Sequence, residues 1–306
     1  MRKDLHELPK IRDSISYLYF EHAIIEQDDS SIVIINDEGK TPVPVASCTC
    51  LMLGPGTSIT HAAIRACGEN GCMIIWCGEG IQRFYASGIG ETRSAANQLR
   101  QAKLCMDGKT HLEVAKRMYE VRFPQLPKQD YSLQQLRGME GIRVREAYKL
   151  ASKLSGVLWQ SRQYKNTAWE ASDPINRALS ESNAILYGLC HAAIVSLGYS
   201  PALGFIHTGK MLSFVYDIAD LYKAETTIPA AFESLRNSDI LDSSWLRRCC
   251  RSRFQQARLL ERIADDIKWI FDIEGIEDIE AKETGDLWDE EENVQGGKNY
   301  SVDVLK

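Results

Sequence analysis

Residues 205 to 223, FIHTGKMLSFVYDIADLYK, gather the side chains of this chain best suited to act on a substrate. His207 lies in a glycine-flanked turn with Gly204, Thr208, Gly209 and Lys210. An apolar stretch follows and carries Asp217 and Asp220. Three residues apart on a helix, these carboxylates share a face. Asp217 sits among residues that belong in a core, where a lone carboxylate is costly. It therefore has to be paired, hydrogen-bonded or bound to a metal. A histidine with helical carboxylates supplies half of a hard-cation site, and another acid elsewhere must supply the rest.

Glu140 is the candidate for that acid. It lies in SLQQLRGMEGIRVREAYKLAS, where Ser132 and Gln135 form a capping box and Leu133, Leu136, Ile142, Tyr148 and Leu150 follow a helical period. Gly138 and Gly141 flank it, and each costs about 1 kcal/mol relative to alanine in a helix interior. Such glycines suit a place where a helix or a phosphate backbone approaches closely. A plain helix crossing with a solvated Glu140 fits the glycines as well. If Glu140, His207 and Asp220 act together, two carboxylates and an imidazole suit Mg²⁺ or Mn²⁺, with Asp217 either orienting a ligand or pairing with a nearby cation. Tyr187 either packs in the core or offers its hydroxyl to this site. Lys210 either balances phosphate charge or is a surface residue.

The elements that must position these groups change character near residue 90. Before it lie short β-type runs, SISYLYF, SIVIIND, CTCLML, CMIIWC and RFYAS, separated by turn signals at NDEGK, GPG and GEG. One helical stretch, ITHAAIRACGENG, interrupts them. Helical patterns follow, starting near Ser94, near His111, at Ser132 and at Asp173-Pro174, a cap followed by proline at the first helical position. A last long helix is expected over 243 to 270. The fold class is α+β by segregation: a small N-terminal β-rich domain (1–90), then a larger all-α C-terminal domain (91–270). Residues 271 to 306 hold twelve acidic residues against three lysines and read as an acidic, mobile extension.

The chain has 306 residues, 44% of them apolar, and a net charge of −6. The acidic extension conceals a slightly basic body, whose first 270 residues carry a net +3. No run of 18 apolar residues and no leader-like N-terminus is present, so neither a membrane span nor a signal peptide is expected. The nine cysteines show no zinc-type spacing and read as reduced thiols of a cytoplasmic protein. On the expected last helix, Arg247, Arg251, Arg258 and Arg262 fall within about 60° of one another, opposite an apolar side. The stripe is a solvated face or a phosphate-binding one. Arg65 and Arg83 are further phosphate-contact candidates. Tyr164 and Trp169 bracket a polar loop, where they either stack on unpaired bases or clamp the loop to the core.

RGMEGIRVREAY, NRALSESNAILYG and GFIHTGKMLSFVYDIADLYK together resemble the three successive helical blocks of the CRISPR adaptation (spacer acquisition) integrase family, in its type I-E branch. LGPGTSITHAAIR and GEGIQRFYASG extend the resemblance over residues 10 to 265. It implies a DNA integrase and endonuclease whose metal ligands are Glu140, His207 and Asp220. In the implied reaction the 3′-hydroxyl of a short DNA fragment attacks a phosphodiester at the edge of a CRISPR repeat. The resemblance also implies DNA along the last helix, a homodimer, and a small ferredoxin-like adaptation partner. Two rivals share these residues: a metal-dependent repair nuclease, and a non-catalytic DNA-binding scaffold in which the acids are structural.

Overall fold

The computed structural model describes residues 17–29, 31–48, 50–79, 84–88, 95–123, 131–162, 173–273, 286–289 and 292–295. Strands β1 (Tyr17–Phe20), β2 (Ile24–Asp28), β3 (Ser31–Asn36), β4 (Gly39–Val43), β5 (Cys50–Leu53) and β6 (Ser58–Ile59) come first. Helix α1 (His61–Glu69), strand β7 (Met73–Cys77) and strand β8 (Phe84–Ser87) follow. They form two four-stranded sheets, β4-β3-β2-β6 and β1-β5-β7-β8. The second sheet is parallel through β7, with Tyr17 opposite Cys50 and Leu53 opposite Trp76, and β8 closes it antiparallel. The sequence reading missed the two-residue β6, and also β2 and β4. Both are short and largely exposed, and β4 carries Pro42 on a sheet edge, where proline is tolerated.

The alternation of β5 and β7 divides two cores. Leu51, Leu53 and Ile74 face the first sheet and α1, while Cys50, Met52, Met73, Ile75 and Cys77 face the helical part through Ala192 and Val195. All nine cysteines are free thiols, eight of them buried. Thr60 caps α1 by accepting from the Ala63 amide.

The helical part runs α2 (Ala96–Met106), α3 (Gly108–Arg122), α4 (Leu133–Ser155), α5 (Pro174–Ser196), α6 (Ser213–Tyr222), α7 (Thr227–Ser234), α8 (Ser243–Gln256) and α9 (Leu259–Phe271). The order of a β-rich part followed by helices is the one the sequence predicts. The Ser132–Gln135 capping box is formed, and Asp173 caps α5 with Pro174 at its first position. Helix α5 is apolar nearly all round and runs through the core, packed by α6, α7, α8 and α9. Among the described residues no helix is long and apolar enough to cross a membrane.

One expectation is corrected. The helix expected over 243 to 270 is broken. Arg258 adopts the left-handed conformation, with φ 47° and ψ 46°, between α8 and α9. Such a residue costs roughly 1–2 kcal/mol, and Leu259 and Leu260, the first residues of α9 beyond it, are both buried. In the acidic extension, β9 (Asp286–Asp289) and β10 (Glu292–Gln295) pair antiparallel, a hairpin the charge pattern did not announce.

Candidate active site

The segment between α5 and α6 carries His207, and its path is fixed from several sides. Gln101 of α2, fully buried, donates to the carbonyls of Ser200 (3.0 Å) and Leu203 (2.9 Å) and accepts from the Ser200 amide at 2.7 Å. His111 of α3 bridges the carbonyls of Cys105 and Phe205 with its two ring nitrogens, each at 2.9 Å. A Cβ at Gly204 would lie 2.2 Å from the His207 carbonyl oxygen, so only glycine lets the chain double back there. Gly209 has φ +80°, the left-handed region glycine adopts without strain.

Asp217 is completely buried on α6 and satisfies the requirement its apolar neighbours impose. Its carboxylate accepts from the backbone amides of Phe205 (2.6 Å), Ile206 (3.1 Å) and His207 (2.8 Å), and from the imidazole Nδ1 of His207 at 2.7 Å. One acid thus anchors the loop backbone and orients the ring. The Asp217 hydrogen bond raises the His207 pKa against the pull of burial, and Asp220 adds to the effect. The other ring nitrogen, Nε2, faces Asp220 Oδ2 at 3.9 Å. His207 keeps 44% of its side chain open to solvent, against 20% for Asp220.

Asp220 has a cation beside it. Lys223 Nζ lies 2.5 Å from its Oδ1 and donates to the Tyr187 hydroxyl at 2.7 Å, over whose ring it sits at 4.8 Å. Burial alone would lower the Lys223 pKa, but Asp220 and Tyr187 outweigh it and hold the ammonium above its ordinary value. Tyr187 packs edge-on to Tyr216, which meets the His207 ring in the same way. Of the two readings of Tyr187, its hydroxyl is directed at the lysine beside Asp220.

Glu140 is also paired. Its Oε1 meets Nη1 of Arg122, the last residue of α3, which is only 2% exposed. Nη2 of the same guanidinium points at the backbone carbonyl of Asp217, 3.5 Å away. Glu140 is thereby linked to α6 through Arg122. The structure brings His207, Asp217 and Asp220 together directly. Among the described residues no three His, Cys, Asp or Glu side chains form a ready-made ion cluster, so Glu140 is not gathered with them around one point. In kind, the donors fit a hard divalent cation: two carboxylates, each with one oxygen committed to a cation, and an imidazole whose anchored Nδ1 leaves Nε2 facing Asp220.

The remaining candidates lie apart. Lys210 is exposed on the His207 loop, where its backbone amide donates to Ser213. Nothing within 4 Å meets a Cβ built on Gly138 or Gly141, so no part of the described residues makes the close approach those glycines suggest. Arg65 on α1 pairs with Glu69 at 3.7 Å. Arg247 pairs with Glu79 at 2.7 Å, Arg258 with Glu261, and Arg262 with Glu225 at 2.7 Å, while Arg251 is exposed. Because of the break at Arg258, the four do not form one continuous stripe, and only Arg247 and Arg251 share a face of α8. Arg83, Tyr164 and Trp169 lie outside the described residues. Sequence reasoning missed Arg122, Lys223, Gln101 and His111 as supports. Only Lys223 left a local signal, three residues after Asp220 on the same helix.

The profile of the family described as CRISPR associated protein Cas1 matches residues 16–125 and 122–248. This chain belongs to the Cas1 family. A Cas1 relative from Thermus thermophilus, named CRISPR-associated endonuclease Cas1 2, is 52% identical over 307 residues, covering 98% of this chain and 94% of its own length. A crystal structure of a TtCas1–DNA complex superposes with a TM-score of 0.76 at 55% identity, covering 86% of this chain and 99% of that one. A CAS1 protein structure from Thermotoga maritima, at 13% identity, shares the fold with a TM-score of 0.61 over 85% of this chain and 99% of that one. The two-part Cas1 architecture therefore persists where the sequences have diverged widely.

Proposed function

We propose that this Cas1 protein is a metal-dependent DNA integrase and endonuclease of the type I-E branch, which inserts short DNA fragments into a CRISPR array in the cytoplasm. The observation that carries the reading is the anchored imidazole: Asp217 fixes Nδ1 and so directs Nε2 toward Asp220. A histidine fixed from behind by a buried carboxylate is the usual arrangement of a metal-ligating ring. The endonuclease name of a relative 52% identical to this chain and the DNA bound in the TtCas1 complex support the same reading.

Glu140, His207 and Asp220 would hold Mg²⁺ or Mn²⁺, which when bound lowers the pKa of a nearby hydroxyl and neutralises charge on a phosphodiester. In the reaction, the 3′-hydroxyl oxygen of the incoming fragment forms a bond to phosphorus. The bond to the leaving 3′-oxygen of the repeat strand breaks, and that oxygen takes up a proton. Asp217 keeps the His207 ring from rotating during this exchange. Lys223 pairs with Asp220, and Tyr187 holds Lys223 in place. Lys210, exposed on the same loop, meets a phosphate. Arg65, Arg83, Arg247, Arg251, Arg258 and Arg262 carry the duplex, and Tyr164 and Trp169 stack on its unpaired end. Insertion requires two attacks, at opposite ends of one repeat. This calls for a symmetric assembly, a homodimer joined to the small ferredoxin-like partner.

The test incubates the protein with Mn²⁺, a fluorescent duplex with free 3′ ends and a supercoiled plasmid bearing a CRISPR repeat. Label covalently joined to plasmid supports integration. Nicked plasmid without label assigns hydrolysis alone, and a mobility shift without either product assigns a scaffold.

A further inference from the structure

We infer that Arg122 is a positioning residue that sets Glu140 relative to the His207–Asp220 pair. The inference rests on the proposed reading of these three residues as one cation-holding group.

A guanidinium at the C-terminal turn of α3 is 2% exposed, deeper than nearly every other charged group described. Taking a charge out of water costs several kcal/mol, which is offset only by a well-placed countercharge and satisfied donors. Glu140 supplies the countercharge from α4. The Asp217 carbonyl, on the helix that carries Asp220, receives the second arm at 3.5 Å. The face of the guanidinium lies 5.0 Å from the Tyr119 ring, and the buried Nε has no hydrogen-bond partner among the described residues. A cation placed only to tie α3 to α4 needs neither this depth nor the arm toward α6. The planar fork spans two elements that otherwise contribute separate halves of the site, and it touches the second one at the residue that orients His207. Lysine, a point charge, cannot span both.

The test compares the full-length wild-type protein with Arg122→Lys and Glu140→Gln. Mn²⁺ affinity is read by electron paramagnetic resonance of the free ion, and folding by circular dichroism melting. Arg122→Lys is expected to remain folded and to bind Mn²⁺ at least about tenfold more weakly, the usual effect of losing a group that orients a metal ligand. Combining it with Glu140→Gln should weaken binding little beyond the worse single variant, because both act through one carboxylate. If Arg122→Lys does not fold, Arg122→Gln, which keeps two N–H donors, is measured in its place with the same expectation. Unchanged affinity in a folded Arg122 variant, or losses that multiply in the double variant, would overturn the inference while leaving the site reading intact. If the wild-type protein binds no Mn²⁺, the site reading falls and the inference with it.

Discussion

Asp217 Oδ1 stands 2.7 Å from His207 Nδ1 and, through the same oxygen, 2.8 Å from the His207 backbone amide. One carboxylate oxygen thus fixes both the position of the residue and the orientation of its ring. Asp220, three residues later, makes no such contact with the loop. The two acids of VYDIAD consequently have different duties, and substitution should separate them.

Asp217→Ala leaves three backbone amides, that of the buried Phe205 among them, and an imidazole without their acceptor. We expect a loss of stability on the order of 3 kcal/mol or more, seen as a lower thermal midpoint, together with loss of strand transfer. Asp220→Asn should lose strand transfer with the midpoint nearly unchanged. Equal destabilisation by both changes would show that Asp220 is as structural as its neighbour.

Glu140 needs a different substitution from the usual alanine. Removing one partner of a buried ion pair costs about 3–5 kcal/mol, because the other charge remains in the interior. Glu140→Ala should therefore destabilise the protein through Arg122, and its inactivity would be uninformative. Glu140→Gln keeps an acceptor for the guanidinium and should be the milder change in a melt. Together with His207→Ala it should abolish strand transfer while retaining most DNA affinity in a filter-binding assay. Retained strand transfer in either variant would remove that residue from the site.

Much of this was legible in the sequence, and what was not has identifiable causes. Capping at Ser132 and Asp173 follows from local hydrogen-bonding chemistry, so the spacing of Ser132 and Gln135 sufficed. The need for a partner at Asp217 follows from the cost of burying a charge among Val215, Tyr216 and Ile218. The partner of Glu140 was hidden, because Arg122 ends a different helix and no periodicity marks an arginine as buried. The break at Arg258 was hidden for a related reason. No glycine or proline marks the sequence around Arg258, and the left-handed turn there shows only in the structure, with Leu259 and Leu260 buried just beyond it.

His191 gives the pH dependence. It lies on α5 with its ring stacked 3.6 Å from Phe84, where the second sheet meets the helices. Burial lowers its pKa to about 4. The folded-state value is thus below that of the unfolded chain, about 6.5. The contribution is fully present above about pH 6.5 and is lost as the pH falls toward 4, on the order of 3 kcal/mol in all. A His191→Phe variant should show a shallower decline of the thermal midpoint between those pH values than the wild type. Parallel declines would mean that other groups govern acid unfolding.

The arginines of α8 supply the last prediction. Arg247 and Arg251 are one turn apart on a single face, whereas Arg258 and Arg262 follow the break and pair with Glu261 and Glu225. If the α8 face carries DNA, replacing Arg247 and Arg251 together should weaken binding to all sequences alike. It should also flatten the slope of log affinity against log salt by about 0.7–0.9 for each phosphate no longer neutralised. Sequence preference should survive, because phosphate contacts position a duplex without reading its bases. The change at Arg247 also releases Glu79, so a Glu79→Gln control is needed. That substitution frees Arg247 and should strengthen binding. An unchanged salt slope in the Arg247, Arg251 double variant would make α8 a solvated face and move the DNA path toward Arg65 and Lys210.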